Sequence, residues 1–241
     1  MDTMELKNRR SERGFTLVEL AIVMIIIGLL IGGILKGQEL IANAQVGATV
    51  SQVKAIDAAT TTFRDKYDSL PGDMNNFANR LPAGSCTGCV NGDGNGRLAT
   101  GNANVNPLGA PAGEGQNFFR MLSASDLLGG ITNTGTNEWG DIYPEAKVAG
   151  GFHAGYSNGA ALGSNGAAPP GHYLGLVSTW NAGSANNTLT ANEAARIDTK
   201  LDDGRGNTGS VFDNGNACSA AGDYDQDSTT EKCDLAIRFQ N

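Results

Sequence analysis

Glu19 is the charged residue whose position most needs a chemical explanation. No charged residue occurs from Leu20 to Leu35, and the apolar run extends back to Phe15 with only Thr16 and Glu19 as interruptions. A helix over this run would be about 30 Å long, which is enough to cross a bilayer core. A carboxylate in such a helix is costly unless a cation pairs with it. Two interpretations remain open: Glu19 binds a cationic partner, or it is a tolerated residue at the headgroup boundary.

The residues around Glu19 resemble the processing site of type IV pilins and type II secretion pseudopilins. The segment that carries the resemblance follows a short basic leader and precedes the apolar run, and it reads Gly14-Phe15-Thr16-Leu17-Val18-Glu19-Leu20. The resemblance extends over residues 7 to about 72 and implies that a prepilin peptidase cuts between Gly14 and Phe15 and methylates the new amine of Phe15. It also implies that Glu19 pairs with the N-terminal amine of a neighbouring subunit as a filament grows.

The basic leader and the retained apolar run predict the location of the chain. Four basic residues precede the run, which places the N-terminus in the cytoplasm: Lys7, Arg9, Arg10 and Arg13. We expect a single-pass protein of the inner (cytoplasmic) membrane before assembly, and a periplasmic or extracellular filament afterwards. The partners that the resemblance implies are the prepilin peptidase, other pilin subunits through the N-terminal helix, and an inner-membrane assembly platform.

The resemblance leaves three roles open for the chain. It implies a structural subunit, a pilin or minor pilin of a type IV pilus-like filament. The alternatives are a pseudopilin of a type II secretion system and a minor pilin that acts as a binding or cell-adhesion module at a filament tip. The shared N-terminal helix carries assembly while the variable domain carries the task, so the motif alone does not separate these roles.

The cysteines predict disulfide bonds, because the bulk of the chain is expected outside the cytoplasm. The four residues are Cys86, Cys89, Cys218 and Cys233. Four cysteines allow three pairings, and the sequential one, Cys86 with Cys89 and Cys218 with Cys233, is preferred. The spacing of Cys86 and Cys89 would also suit a structural zinc site, which is the alternative.

A turn rich in oxygen ligands offers a weak calcium motif. Asn91, Asp93 and Asn95, followed by a glycine, fit the start of a calcium-binding loop. The position of its closing glutamate is held by Asn102, and Glu114 could contribute only if the chain folded back. We therefore predict no cofactor, with these three residues as calcium candidates. Two later clusters carry the same alternative and are otherwise solvated turns: Asp202, Asp203 and Asn207, and Asp223, Asp225 and Asp227.

Neither catalysis nor general nucleic-acid binding is indicated by the composition. His153 and His172 are the only histidines, and the chain contains no nucleophile elbow, zinc-protease motif or P-loop. We predict that the protein is not an enzyme. The formal net charge of −8 argues against a general nucleic-acid binder, which needs a basic surface. The 34 glycines show no period of three and indicate a loop-rich exported domain.

One very long helix must position the N-terminal motif. Residues 15 to 66 contain no proline and would form a helix of almost 80 Å by the rise of about 1.5 Å per residue. Its first half is apolar on all sides, while its second half carries one apolar stripe: Val46, Val50, Val53, Ile56, Phe63 and Tyr67. Glycines at 28, 32, 33 and 37 permit close helix approach or are ordinary membrane-helix glycines. Pro71 ends the helical pattern.

The remaining elements predict a pilin-like α+β fold. Helices are expected at 116–128 and at 190–201, the second opened by a capping box of Thr190 and Glu193. Strands are expected at 173–179, 209–212, 235–239 and 141–148. The long helix would pack on this small antiparallel sheet with short extra helices. The predicted organisation is a removed leader (1–14), a transmembrane or filament-core half-helix (15–35), an amphipathic half-helix (36–67) and a loop-rich globular domain (68–241).

Overall fold

The computed structural model describes residues 14–99, 107–109, 113–134, 138–159, 168–179, 188–214, 218–228 and 230–240. The helices are α1 (Leu17–Tyr67), α2 (Glu114–Ala124) and α3 (Ala191–Leu201), with a 3-10 turn at Phe77–Asn79. The strands are β1 (Gly151–Ser157), β2 (Gly171–Val177), β3 (Leu189–Thr190), β4 (Val211–Asp213), β5 (Ser219–Ala220), β6 (Asp223–Tyr224), β7 (Glu231–Cys233) and β8 (Leu235–Phe239). The long helix, the antiparallel sheet and the short helices confirm the pilin-like α+β prediction.

Helix α1 follows its apolar pattern almost residue by residue. It begins two residues after the predicted start and ends at Tyr67, where Asp68 leaves the helical region with φ of 45°. Burial along the helix begins at Val46, and a single stripe is covered as far as Tyr67. Chain contacts group residues from Ala44 onward into one compact unit, separate from the residues up to Asn43. The predicted amphipathic half therefore contributes to the compact unit from Ala44.

A four-stranded antiparallel sheet forms the centre of the compact unit. Its order is β1-β2-β8-β4, so the C-terminal strand β8 is paired on both sides. The prediction of a strand at 235–239 is confirmed, because Leu235, Ile237 and Phe239 alternate along it and are buried. Strand β1 was not predicted, and the strand expected at 141–148 is wrong, since only isolated bridges to Tyr143 and Glu145 occur there.

A capping box stabilises the start of α3, whereas packing of phenylalanine side chains against the sheet stabilises α2. Helix α3 begins with the predicted capping box, in which the Thr190 hydroxyl accepts from the Glu193 N–H and the Glu193 carboxylate accepts from the Thr190 N–H. Helix α2 begins and ends earlier than expected, at Glu114 and Ala124, and buries Phe118 and Phe119 completely. The Phe118 ring lies 5.5 Å from that of Phe239 on β8, so α2 packs on the sheet.

Candidate assembly site and acidic clusters

The predicted cleavage site lies in non-helical chain directly before α1. Gly14, Phe15 and Thr16 precede the first helical residue, Leu17. The Phe15 side chain is 89% exposed, and nothing lies within 4 Å of where a Cβ on Gly14 would sit. The Gly14–Phe15 peptide bond therefore lies outside the helix and is accessible. The leader before Gly14 lies outside the described residues, so leader removal and N-methylation of Phe15 stay predictions.

Glu19 has a local partner that the sequence analysis did not assign. The Thr16 backbone N–H donates to Glu19 Oε2 at 2.8 Å, and the Thr16 hydroxyl donates to the same oxygen at 2.9 Å. In return the Glu19 N–H donates to the Thr16 hydroxyl oxygen at 3.2 Å. This is the reciprocal geometry of a capping box, with Thr16 as N-cap and Glu19 at the third helical position. The signal was present in the sequence as Thr-x-x-Glu before an apolar run.

The capping box leaves the Glu19 carboxylate able to accept a further charged donor. Its hydrogen bonds from Thr16 all reach Oε2, and the residue lies on an exposed part of the chain. A carboxylate offers about four lone-pair sites over its two oxygens. Helix capping and pairing with a cationic amine are therefore compatible, and they can be separated by substitutions that remove one and keep the other.

The first part of α1 presents an apolar surface in every direction. From Leu17 to Ile41, the exposed fraction of its large apolar side chains ranges from 46% for Ile27 to 85% for Leu17. Beyond Ile41 in the described part of the chain, Val90 is the large apolar side chain with comparable exposure. Within that described part, α1 is also the one helix long and apolar enough to cross a membrane.

The glycines of this segment leave its surface open to close contact. At Gly28, Gly32, Gly33 and Gly37, an added Cβ would meet nothing within 4 Å. Since these positions occur as two pairs four residues apart, each pair lets another helix backbone approach closely. The apolar surface together with these glycines suits lipid or neighbouring helices, as the resemblance implies.

The cysteines form two bonds with different surroundings. Cys86 is joined to Cys89, and Cys218 to Cys233, with Cα atoms 5.6 Å and 5.0 Å apart respectively. These are the sequential pairs preferred from the sequence. Cys218 and Cys233 are fully buried, and the Cys233 carbonyl accepts from the Thr188 N–H at 2.8 Å. With no free cysteine in the described chain, the structure provides no thiolate for the alternative zinc site.

The calcium candidates lie in a turn that wraps around Asp73. Asn91 Oδ1 accepts from the Phe77 N–H at 3.1 Å, and Asn95 Oδ1 accepts from the Arg97 N–H at 2.8 Å. Asp93, in contrast, lies beside two carboxylates from other segments, those of Asp73 and Glu114. The chain therefore does fold back to bring Glu114 to this turn, and Asp73 is a member that sequence reasoning missed.

Glu114 is the most perturbed carboxyl group of this cluster. It is 3% exposed, and burial, together with the neighbouring charges of Asp73 and Asp93, raises its pKa to about 7. The N–H groups of Asp93 and Ala99 oppose that shift in part. Burial also raises the pKa of Asp73, against three backbone N–H donors that favour its charge. Simultaneous ionisation of the carboxyl groups in this cluster is therefore unfavourable.

The second acidic cluster consists of Asp198, Asp202 and Asp203, and its carboxylates accept hydrogen bonds from other groups of the protein. Asp198 is fully buried, accepts from the Tyr224 hydroxyl at 2.8 Å and accepts from the Gly204 N–H at 3.1 Å. Asp202 accepts from the Ser210 N–H, and Asp203 accepts from the Thr208 hydroxyl at 2.6 Å. These contacts close the loop after α3, where the sequence predicted a solvated turn; Asp203 is exposed there and Asp202 is half-buried. Asn207, the third predicted member, instead donates from its side chain to the Ala221 carbonyl at 3.2 Å.

The raised pKa of Asp198 should make the stability of the folded chain depend on pH. Burial raises its pKa to about 6, above the ordinary value of 3.8, so the folded chain retains a proton that the unfolded chain releases. The free energy of unfolding must then fall as the pH rises from about 4 to about 6. We expect Asp198→Asn to remove about 1–3 kcal/mol of that fall, measured by urea unfolding at several pH values. An unchanged profile in the variant would show that Asp198 is not the titrating group.

Both histidines act as packing residues. His153 is 1% exposed, its Nδ1–H donates to the Gly109 carbonyl at 2.8 Å, and its ring lies 5.0 Å from that of Tyr143. Burial lowers the pKa of His153 to about 4. The pKa of His172 is also lowered to about 4, by burial and then by nearby arginines. Both rings are therefore neutral near pH 7.

Comparison with known proteins identifies the N-terminal segment alone. Residues 9–35 match the family model described as the prokaryotic N-terminal methylation motif, which is the signature of type IV pilins and pseudopilins. No curated protein and no solved structure matches the chain. Gly14, Phe15 and Glu19 all lie inside the matched segment. The chain thus carries the N-terminal signature of a pilin-like subunit, a class that is not usually enzymatic.

Proposed function

We propose that the protein is a structural subunit, a pilin or minor pilin, of a type IV pilus-like filament. The observation that carries the proposal is the coincidence of the methylation motif with a helix whose apolar side chains are exposed on all sides up to Ile41. The transfer of each such side chain out of water is favourable by roughly 1.5–3 kcal/mol of free energy. A surface of this kind is stable in a membrane or among like helices, and a filament core supplies the second environment.

The proposed pathway follows from the order of the N-terminal residues. The prepilin peptidase cuts after Gly14 and methylates the amine of Phe15, and the apolar segment holds the subunit in the inner membrane. The assembly platform then moves the subunit into a helical polymer, where the segment from Phe15 to Leu35 forms the core. Glu19 pairs there with the N-terminal amine of a neighbour.

Glu19 sets the register of the subunits in this proposal. A carboxylate and an ammonium group that are both removed from water require each other, because either one left alone is an uncompensated buried charge. A subunit that docks out of register leaves both groups unpaired. The Thr16 capping box holds the Glu19 carboxylate at the first turn of α1, so its position relative to Phe15 is defined before docking.

Two measurements test which role this subunit has: its abundance in sheared filaments and the effect of deleting its gene. We expect the chain in the fraction of surface filaments that mechanical shearing releases, with loss of filaments or of their binding function when the gene is deleted. A tip module would be sparse in that fraction and a major subunit abundant. If the chain stays in the envelope and its deletion instead blocks the export of secreted enzymes while surface filaments persist, the pilus assignment is wrong and a secretion pseudopilin is the answer.

A further inference from the structure

Three segments that are distant in the chain bring one carboxylate each to a common point. Asp73 follows the Pro-Gly turn after α1, Asp93 lies in the glycine-rich turn, and Glu114 is the first residue of α2. One carboxylate oxygen from each lies within 4.8 Å of the other two. Three formal negative charges thus meet in a space of a few ångströms, which is unfavourable unless something positive is shared among them.

Backbone N–H groups of the glycine-rich turn hold the Asp73 carboxylate in place. Its Oδ1 accepts from the Gly94 N–H at 2.7 Å and its Oδ2 accepts from the Gly96 N–H at 2.6 Å, so the turn wraps the carboxylate. Gly94 and Gly96 have φ of 74° and 78°, a region that glycine adopts without cost. At Gly92, a Cβ would collide with the backbone of Asp73. These contacts position the group closely, but they do not remove its charge.

Glu114 provides a second observation, which is independent of the spacing of the three carboxylates. Its Oε1 accepts from the Asp93 N–H at 2.9 Å, whereas its Oε2 is buried and accepts no hydrogen bond from the described residues. The residue is 3% exposed, and neither it nor Asp73 forms an ion pair with a described cationic side chain. Buried carboxylate oxygens are ordinarily hydrogen-bonded, paired or bound to a metal. A buried oxygen without a hydrogen bond, on a residue that lies beside two further carboxylates, is suited to a cation.

We propose that Asp73, Asp93 and Glu114 bind a calcium ion. The donor set consists of carboxylate oxygens without nitrogen or sulfur, which favours a hard cation over zinc or copper. Calcium bonds oxygen at about 2.3–2.6 Å, so two ligands on opposite sides of the ion are about 5 Å apart, which agrees with the spread of this cluster. Asp93 is exposed, so water completes the coordination on that side.

The bound ion would tie together three elements that share no strand pairing. It joins the turn that ends α1 to the glycine-rich turn and to the N-terminus of α2. Because the three charges repel each other in the metal-free chain, removing the ion is expected to loosen this corner of the compact unit. The site differs from the loop motif read in the sequence, of which only Asp93 is retained. The inference does not depend on filament assembly.

The test compares thermal unfolding of the detergent-solubilised full chain with and without calcium. After treatment with a chelator at about pH 8, where Glu114 is ionised, we expect about 5 mM calcium to raise the unfolding midpoint by roughly 3–8 °C. Glu114→Gln should abolish the calcium response. Its metal-free midpoint should equal or exceed that of the parent, because the variant keeps an acceptor for the Asp93 N–H and removes one of three repelling charges.

A matched control lies in the second acidic cluster. Asp203→Asn changes the same charge at an exposed loop position and should keep the full calcium response. Should Glu114→Gln fail to fold, Asp93→Asn serves the same purpose from an exposed position. The proposal is overturned if calcium leaves the parent midpoint unchanged, or if the Glu114 or Asp93 variant responds like the parent. An equal shift with magnesium would overturn the assignment to calcium.

Discussion

Glu19→Gln is expected to stop filament assembly while leaving membrane insertion and cleavage intact. Glutamine can replace glutamate in a capping box, so the start of α1 keeps its cap, but the negative charge that would meet a neighbour's amine is lost. The amine is then buried without a partner in the filament core, which is strongly unfavourable. We expect the amount of this chain in sheared filaments to fall roughly 100-fold or more, since breaking a buried pair costs far more than one factor of ten.

Thr16→Ala is the matched control for that variant. It removes the hydroxyl that accepts from the Glu19 N–H and donates to Glu19 Oε2, while the carboxylate remains. If charge pairing is the role of Glu19, this variant assembles at close to the parental level. If Thr16→Ala assembles as poorly as Glu19→Gln, the carboxylate acts through the helix cap. Normal assembly of Glu19→Gln would remove the pairing role altogether.

Phe63→Ala is expected to produce the largest loss of stability of any single substitution in the buried stripe of α1. Phe63 is fully buried, and its ring lies 4.6 Å from that of Tyr67, one turn further along the helix. Truncating a buried phenylalanine removes its transfer free energy and leaves a cavity, at a cost of about 3–5 kcal/mol. Chemical unfolding of the compact unit in detergent, followed by tryptophan fluorescence, measures this difference.

The neighbouring Thr62 provides the comparison for Phe63. It is exposed, and its hydroxyl donates to the carbonyl of Ala58 in the same helix at 2.9 Å. Thr62→Ala should change the free energy of unfolding by no more than about 0.5 kcal/mol. Similar values for the two variants would mean that the Phe63 side chain is not packed inside the compact unit.

The long helix was predictable because its signal is local and repeated. An unbroken apolar run and then a stripe at three- and four-residue spacing leave few alternatives over 51 residues. Strand β1 was missed for the opposite reason. Two of its seven residues, Gly151 and Gly155, are glycines with weak strand preference, and it is stabilised by pairing with β2 along its whole length. Such pairing depends on residues far away in the chain.

The two candidate sites differ in the same way: one is defined by neighbouring residues and the other by residues that are distant in the sequence. The assembly motif lies within one short segment, so roles for Gly14, Phe15 and Glu19 could be predicted from the sequence, and the Thr16 cap could have been. The acidic cluster joins positions 73, 93 and 114, whose meeting depends on how the turns pack. The sequence suggested calcium at Asn91, Asp93 and Asn95, because a linear motif can describe only neighbouring ligands. The buried, unpartnered oxygen of Glu114 becomes visible only once the chain has folded.

The N-terminus of the protein extracted from its membrane is the most direct test of the account. Intact mass and N-terminal sequencing should show a chain that begins at N-methylated Phe15, with a gain of about four mass units on reduction of its two disulfides. That result would establish processing at the Gly14–Phe15 bond and leave abundance in filaments as the next question. A chain that still begins at Met1, or one that has been cut after the apolar run, would contradict the account and remove the assembly role of Glu19.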